Sequence, residues 1–361
     1  MTSVTGVQAG TEPRSLDDQY DVVVVGGGAA GLSGAKIMAR SRRSVLVVDA
    51  GSPRNAPAKG VHNYLYAEGT APARLAEIGR AEAPEYGVHL VEGVATAATV
   101  SKNPVPGGSR FTVEVTTSAG PSRRVGARRL LLATGLVDVL PDLPGLRERW
   151  GVDVLHCPFC HGWEVRDQAI GVLGTSAMAL HQVMLFRQLS ADLVYFQHTA
   201  PDPTDDQREQ LAALGIQHVV GEVAEVVTTG GALSGLRMSD GRVVARQAVA
   251  VATTINARED LLADLDLSMT DLTIGDLVIG RYLAADPSGL TAAPGVWAAG
   301  NVAAPMAQVI NSAAGGASAG AGIHLDLVTE DTATAVTALR ERTAPAGPAE
   351  QFSATAEAAS R

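Results

Sequence analysis

The two cysteines of the 361-residue chain lie three positions apart, Cys157-Pro158-Phe159-Cys160, inside the run LHCPFCHGWE. With no other thiol in the chain, they can close a small ring with each other and reopen it, which is what a redox dithiol does. Two other readings exist: half of a metal site, or two core cysteines. A metal site needs a second ligand cluster. His62, His89, His181, His198, His218 and His324 are scattered without metal-like pairing, so no metal centre is expected. His156 and His161 flank the pair. Histidine titrates in the range needed to take a proton from a thiol, so both are candidate bases.

A second chemistry-bearing run begins at Gly26. Asp21-Val22-Val23-Val24-Val25 reads as a strand buried on both faces and runs into Gly26-Gly27-Gly28-Ala29-Ala30-Gly31, then a helix to about Arg40. Gly26 permits the tight turn, Gly28 the approach of a pyrophosphate, and Gly31 close helix–strand packing. The next buried strand, Ser44–Val48, ends at Asp49, placed to accept hydrogen bonds from an adenosine ribose and to repel a 2′-phosphate.

A second copy of this unit starts at Ala169-Ile170-Gly171-Val172-Leu173-Gly174, with a helix over about 177–189 and a strand at 193–196. Ser176 stands where the second glycine should be. Neither an acid nor an arginine cluster follows Phe196; Asp202, Asp205 and Asp206 follow instead. This reads as a nucleotide fold that has lost or weakened its nucleotide, with atypical NAD(P)H binding as the alternative.

These units need scaffolds. At 46 % hydrophobic residues, the length supports two domains, and 39 glycines with short Val/Leu/Ile runs suggest an α/β protein. Residues 1–19 and 343–361 read as disordered. Residues 20–140 and 257–330 form a discontinuous first domain, and 141–256 a second that carries the cysteines. Between Asp49 and that boundary come a loop over 52–70, a helix over 72–86, strands at 88–100 and 110–118, and a buried strand ending Ala133-Thr134-Gly135. Strands at about 217–228 and 243–253 complete the second domain. The chain returns to the first domain through Gly300-Asn301 and a helix over about 307–328. A net charge of −10 argues against nucleic acid or an anionic membrane as partner. No signal peptide or membrane-length apolar run is read, so a cytoplasmic protein is expected, where a CxxC is catalytic more often than structural.

The order of glycine motif, Ala133-Thr134-Gly135, CxxC at the start of a second βαβ unit, and late Gly300-Asn301 turn resembles the low-molecular-weight thioredoxin reductase family over about 20–330. The resemblance implies two Rossmann-like doubly wound domains, FAD in the first, a redox dithiol against the flavin, a homodimer, and usually NADPH in the second domain. It implies that Cys160 lies nearer the flavin and that Cys157 exchanges with substrate. It sets the N-terminus of the last helix, at Gln308 and Val309, against the flavin. Asn55, in the loop after Asp49, is a further candidate to face flavin or substrate.

Three departures stand out. His161 replaces the family's aspartate, Asn301 replaces its late aspartate, and the NADPH elements are degraded. With these, the chain looks like the flavin-dependent dithiol oxidases that close disulfides in gliotoxin- and holomycin-type natural products. They share CxxCH and pass electrons to dioxygen. The expected substrate is therefore a small dithiol, with O2 as acceptor and His161 favoured over His156 as base. An NADPH- or ferredoxin-driven reductase of thioredoxin-like disulfides is the alternative.

Overall fold

The structure, a computed structural model, describes residues 16–103, 105–118 and 120–343. The expectation of disorder for residues 1–15 and 344–361 lies outside it. Residues 16–19, also expected to be disordered, are corrected: Leu16 packs on the core and the first strand begins at Gln19.

The first domain opens with β1 (Gln19–Val25), α1 (Ala29–Arg40), β2 (Val45–Asp49), α2 (Pro72–Glu85), β3 (His89–Val100), β4 (Phe111–Thr117) and β5 (Arg123–Leu132). β1 pairs in parallel with β2 and β5, and β2 with β3. Two strands each serve two ladders. β3 pairs with β2 through Glu92 and then, from Gly93, antiparallel with β4; β5 leaves β4 at Ala127 while joining β1 from Gly126. Val22, Val23 and Val24 are fully buried because the sheet is covered on both faces, which is why β1 reads as an unbroken apolar run.

β6 (Leu136–Val139) leads out to β7 (Val154–Leu155), α3 (Pro158–His161), β8 (Ile170–Leu173), α4 (Ala179–Phe186), β9 (Leu193–Phe196), α5 (Asp205–Ala213) and β10 (Gln217–Val219). There follow β11 (Val223–Thr229), β12 (Ala232–Met238), β13 (Val243–Ala245) and β14 (Ala248–Val251). A parallel sheet of order β10-β9-β8-β14-β7 forms the second domain, beside the antiparallel β11-β12-β13. β15 (Thr254–Ala257) returns antiparallel to β6, so the outgoing and incoming chains pair with each other. The expected strand 217–228 is broken at Gly221, whose φ of +108° makes a turn. The expected strand 243–253 is likewise two strands. Helix α5 was not anticipated, although Thr204 and Gln207 make a capping box that the sequence displays.

β16 (Thr270–Ile274) pairs antiparallel with β17 (Leu277–Tyr282), which lies parallel beside β15; β18 (Val296–Ala298) then joins β5, and α6 (Val309–Thr343) ends the described chain. α6 runs fifteen residues past its expected end at 328. Its polar extension is tied down electrostatically: Arg129 pairs with Asp326 and Glu330, Arg128 with Glu330 and Asp331, and Arg43 with Asp331. α6 meets α1 through a seam of small residues. A Cβ on Gly316 would lie 1.9 Å from the Ala30 carbonyl oxygen, and one on Gly320 2.7 Å from that of Gly34. Among the described residues no helix is long and apolar enough to cross a membrane.

Candidate active site

A cleft of about 890 Å³ runs between the two domains and is lined by Gly26, Gly28, Ala29, Ala30, Asp49, Asn55, Ala133, Thr134, Gly135, His156, Cys157, Cys160, His161, Gly300, Asn301, Gln308 and Val309. Of the catalytic and cofactor-binding candidates read from the sequence, Gly31 lies off it. Gly31 sits behind the turn, where a Cβ would be 1.8 Å from the Gly26 carbonyl oxygen.

Three observations test whether the first-domain end fits FAD. Gly26 has φ +107° and allows no Cβ, which would stand 2.3 Å from the Ala133 oxygen, whereas Gly28 faces open space and leaves room for a pyrophosphate. Gly28 caps α1 with no side-chain hydrogen bond, so the first-turn amides remain available to an anion. The Thr134 hydroxyl is buried without a partner and lines the same cleft. The residues fit the cofactor. Asp49 ends β2 as expected, but its carboxylate already accepts from Gly51 N at 3.2 Å and from Arg80. Arg80, on α2, was missed; nothing in its spacing marks it.

At the other end, Cys157 and Cys160 are joined in a disulfide with Cα atoms 5.3 Å apart. Pro158 at the first helical position starts α3, and Cys157 is its N-cap, its Sγ accepting from the Cys160 amide at 3.2 Å. In the reduced protein that amide stabilises negative charge on Cys157. The Gln308 amide donates to Cys160 Sγ at 3.8 Å, so the start of α6 meets Cys160 rather than Cys157. Asn301 turns its amide NH2 into its own loop, onto the carbonyls of Ala304, Pro305 and Ala307, leaving its oxygen toward Arg54.

The two histidines differ. His156 Nδ1 lies 3.2 Å from the Val251 carbonyl and 3.4 Å from the Thr253 amide, and Gln182 donates to its carbonyl at 2.7 Å. Burial lowers its pKa from the ordinary histidine value, with Arg54 adding to the fall and the Val251 bond and Asp138 opposing it. His161 Nε2 is buried with no hydrogen-bond partner. Burial lowers its pKa also, His62 adds to this, and Glu164 opposes it. His161 Nε2 is thus free of hydrogen bonds where His156 Nδ1 is bonded, and burial holds both imidazoles toward the neutral form.

Between the two ends, Arg54 makes a bidentate pair with Asp138 at 2.6 and 2.7 Å, and Thr253 Oγ1 donates to Asp138 at 3.0 Å. Asp138 on β6 and Thr253 just before β15 thus connect the interdomain strands to the loop over 52–70 and to His156. Arg54, Asp138 and Gln182 were not singled out from the sequence, because no local motif contains them.

Two Rossmann-like domains enclosing a disulfide and a dinucleotide-type glycine turn define a disulfide oxidoreductase of thioredoxin reductase type. The chain belongs to the pyridine nucleotide-disulphide oxidoreductase family, whose model matches residues 20–320. Membership implies a flavin cofactor. The chain is 29 % identical over 315 residues to thioredoxin reductase tcpT of Claviceps purpurea, covering 85 % of this chain and 94 % of that one. It is 32 % identical over 194 residues to a probable thioredoxin reductase of Arthroderma benhamiae, covering 54 % of this chain but only 47 % of that relative. The crystal structure of HlmI superposes with TM-score 0.81 at 41 % identity, covering 92 % of this chain and 100 % of that one.

Proposed function

We propose that this protein is an FAD-dependent dithiol oxidase that closes an intramolecular disulfide in a small molecule and delivers the electrons to dioxygen as hydrogen peroxide. The observation that carries the reading is the state of the second glycine-type turn. Ser176 Oγ accepts from the Met178 amide at 3.3 Å, and the helix starts only at Ala179. The Gly174 carbonyl accepts from both Thr199 and Ala200, and Gln197 is held by Asp202 at 2.6 Å. Of the amides around this turn, Gly174 donates to the Phe196 carbonyl, Met178 to Ser176 Oγ and Ala179 to the Ser176 carbonyl, and Ser176 places a side chain where a glycine would leave room for a pyrophosphate. Electrons then enter through the dithiol end. The likeness to HlmI supports the same reading.

His161 takes a proton from one substrate thiol, and the thiolate attacks a sulfur of the Cys157–Cys160 disulfide, Cys157 being the exchanging one in this reading. The second substrate thiol resolves the mixed disulfide, leaving Cys157 and Cys160 reduced. The substrate loses two electrons and two protons, which dioxygen gains. FAD held by Gly26–Gly31, Asp49 and Thr134 supplies a two-electron relay between the dithiol and dioxygen. Gln308 holds Cys160 Sγ at that end. The proposal includes a cytoplasmic homodimer, on the family resemblance.

A disulfide reductase driven by NADPH or a ferredoxin is the second reading, favoured by the names of the curated relatives and by Phe159 and Trp163, each about two-thirds exposed beside the disulfide. Aerobic turnover of dithiothreitol by the flavin-loaded protein discriminates. We expect one peroxide per dithiol consumed, with no donor added; peroxide formation no faster than with free FAD would refute the oxidase.

A further inference from the structure

Beside the disulfide turn an ionisable cluster meets His161. His62, in the loop over 52–70, has both ring nitrogens engaged by carboxylates: Nδ1 with Glu68 at 2.7 Å and Nε2 with Glu164 at 3.5 Å. Its ring meets that of His161 edge to face, with centroids 6.1 Å apart and planes at 87°. The loop is fixed there by more than this pair. Asn63 Nδ2 donates to the Phe159 carbonyl at 2.7 Å, its own amide donates to Glu68 at 2.8 Å, and Val61 bridges Thr70. A first-domain hairpin therefore holds one histidine against another that belongs to the disulfide turn.

We infer that His62 is a positioning residue for His161: clamped by Glu68 and Glu164, it holds the His161 ring in place and in its proton-accepting form. The inference rests on the reading of His161 as base. The physical reason is twofold. A positive charge on the His62 ring disfavours a second one on His161, and His62 accordingly lowers the His161 pKa. The edge-to-face contact also restricts a ring whose Nε2 has no hydrogen bond to orient it. The charged groups facing His161 are His62 from the loop and Glu164 from the turn over Trp163–Val165; Glu164 acts in the opposite sense, and burial adds to the effect of His62. Glu68 is held below the ordinary carboxylate range first by its hydrogen bond from His62, so it stays ionised through neutral pH.

The test is the pH dependence of anaerobic flavin bleaching by dithiothreitol in the holoprotein, read as the position of the acid limb rather than its height. In His62→Gln the limb should move to higher pH by about half a unit or more, roughly a threefold loss of rate at pH values well down the limb. Glu68→Gln should move it the same way by less. NMR titration of the His161 ring in the same variants reads the shift independently of turnover. A limb that stays in place while the rate falls equally at every pH would make His62 structural and overturn the inference. A limb that persists unchanged in His161→Gln would overturn the base assignment itself, and the inference with it.

Discussion

Cys157 and Cys160 are chemically alike but differently held. Cys157 caps a short helix and accepts the Cys160 amide, whereas Cys160 touches Gln308 at the start of α6. The proposed mechanism accordingly gives the exchange role to Cys157. Replacing either cysteine by serine should lower dithiol oxidation by at least about 100-fold, since the two act as a unit. The variants should differ in trapping. With the aromatic disulfide of 5-thio-2-nitrobenzoate, Cys160→Ser should form a stable mixed disulfide at Cys157, while Cys157→Ser reacts more slowly. Mass spectrometry checks this, and faster labelling of Cys157→Ser would reverse the assignment. The cysteines were legible because two thiols at this spacing have few other uses. His62, Arg54 and Asp138 were not, since their partners lie far away in sequence and only the fold brings them together.

At the scale of elements, the seam between α1 and α6 sets the last helix, and with it Gln308, against the glycine turn. Gly316→Ala puts a methyl group 1.9 Å from the Ala30 oxygen, a backbone atom that cannot swing aside. Overpacking of this kind costs about 1–3 kcal/mol or more, and we expect a lower melting temperature with loss of bound flavin. Gly315 is exposed and a Cβ there meets nothing within 4 Å, so Gly315→Ala should leave flavin content intact and stabilise by roughly 0.5–1 kcal/mol. Equal losses in both variants, measured by thermal melts and the ratio of flavin to protein absorbance, would contradict the seam. The start of α6 was readable from its small-residue pattern. Its end was not: residues 329–343 are polar, and what keeps them helical is a set of arginines on β5 and after α1.

For the molecule as a whole, burial is the leading cause that holds His156, His161, His198 and His218 below the ordinary histidine value. Groups with a lowered folded pKa bind fewer protons when folded. Their contribution is complete above the unfolded value near 6.5 and is lost as pH falls through the lower folded ones. The melting temperature should thus be flat from pH 8 to 7 and decline from about 6.5 downward. A second decline should follow in the carboxylate range, where Glu330 and Asp331 lie low. Burial opposes their ionisation but is outweighed by the bonds and charges of Arg128 with Arg129 and of Arg43 with Arg128, respectively. A melting temperature unchanged down to pH 5 would contradict this. The doubly wound plan was legible because its glycine turns and buried strands are local signals. The paired β6 and β15, and the strands β16 and β17, depend on where the chain returns, which no local pattern encodes. The central claim is that electrons enter from a dithiol and not from a second nucleotide. The most direct test is anaerobic flavin absorbance of the holoprotein, titrated separately with dithiothreitol and with NADPH. Bleaching by dithiothreitol alone, reversed by air with release of peroxide, is the expected result; rapid stoichiometric bleaching by NADPH would contradict it.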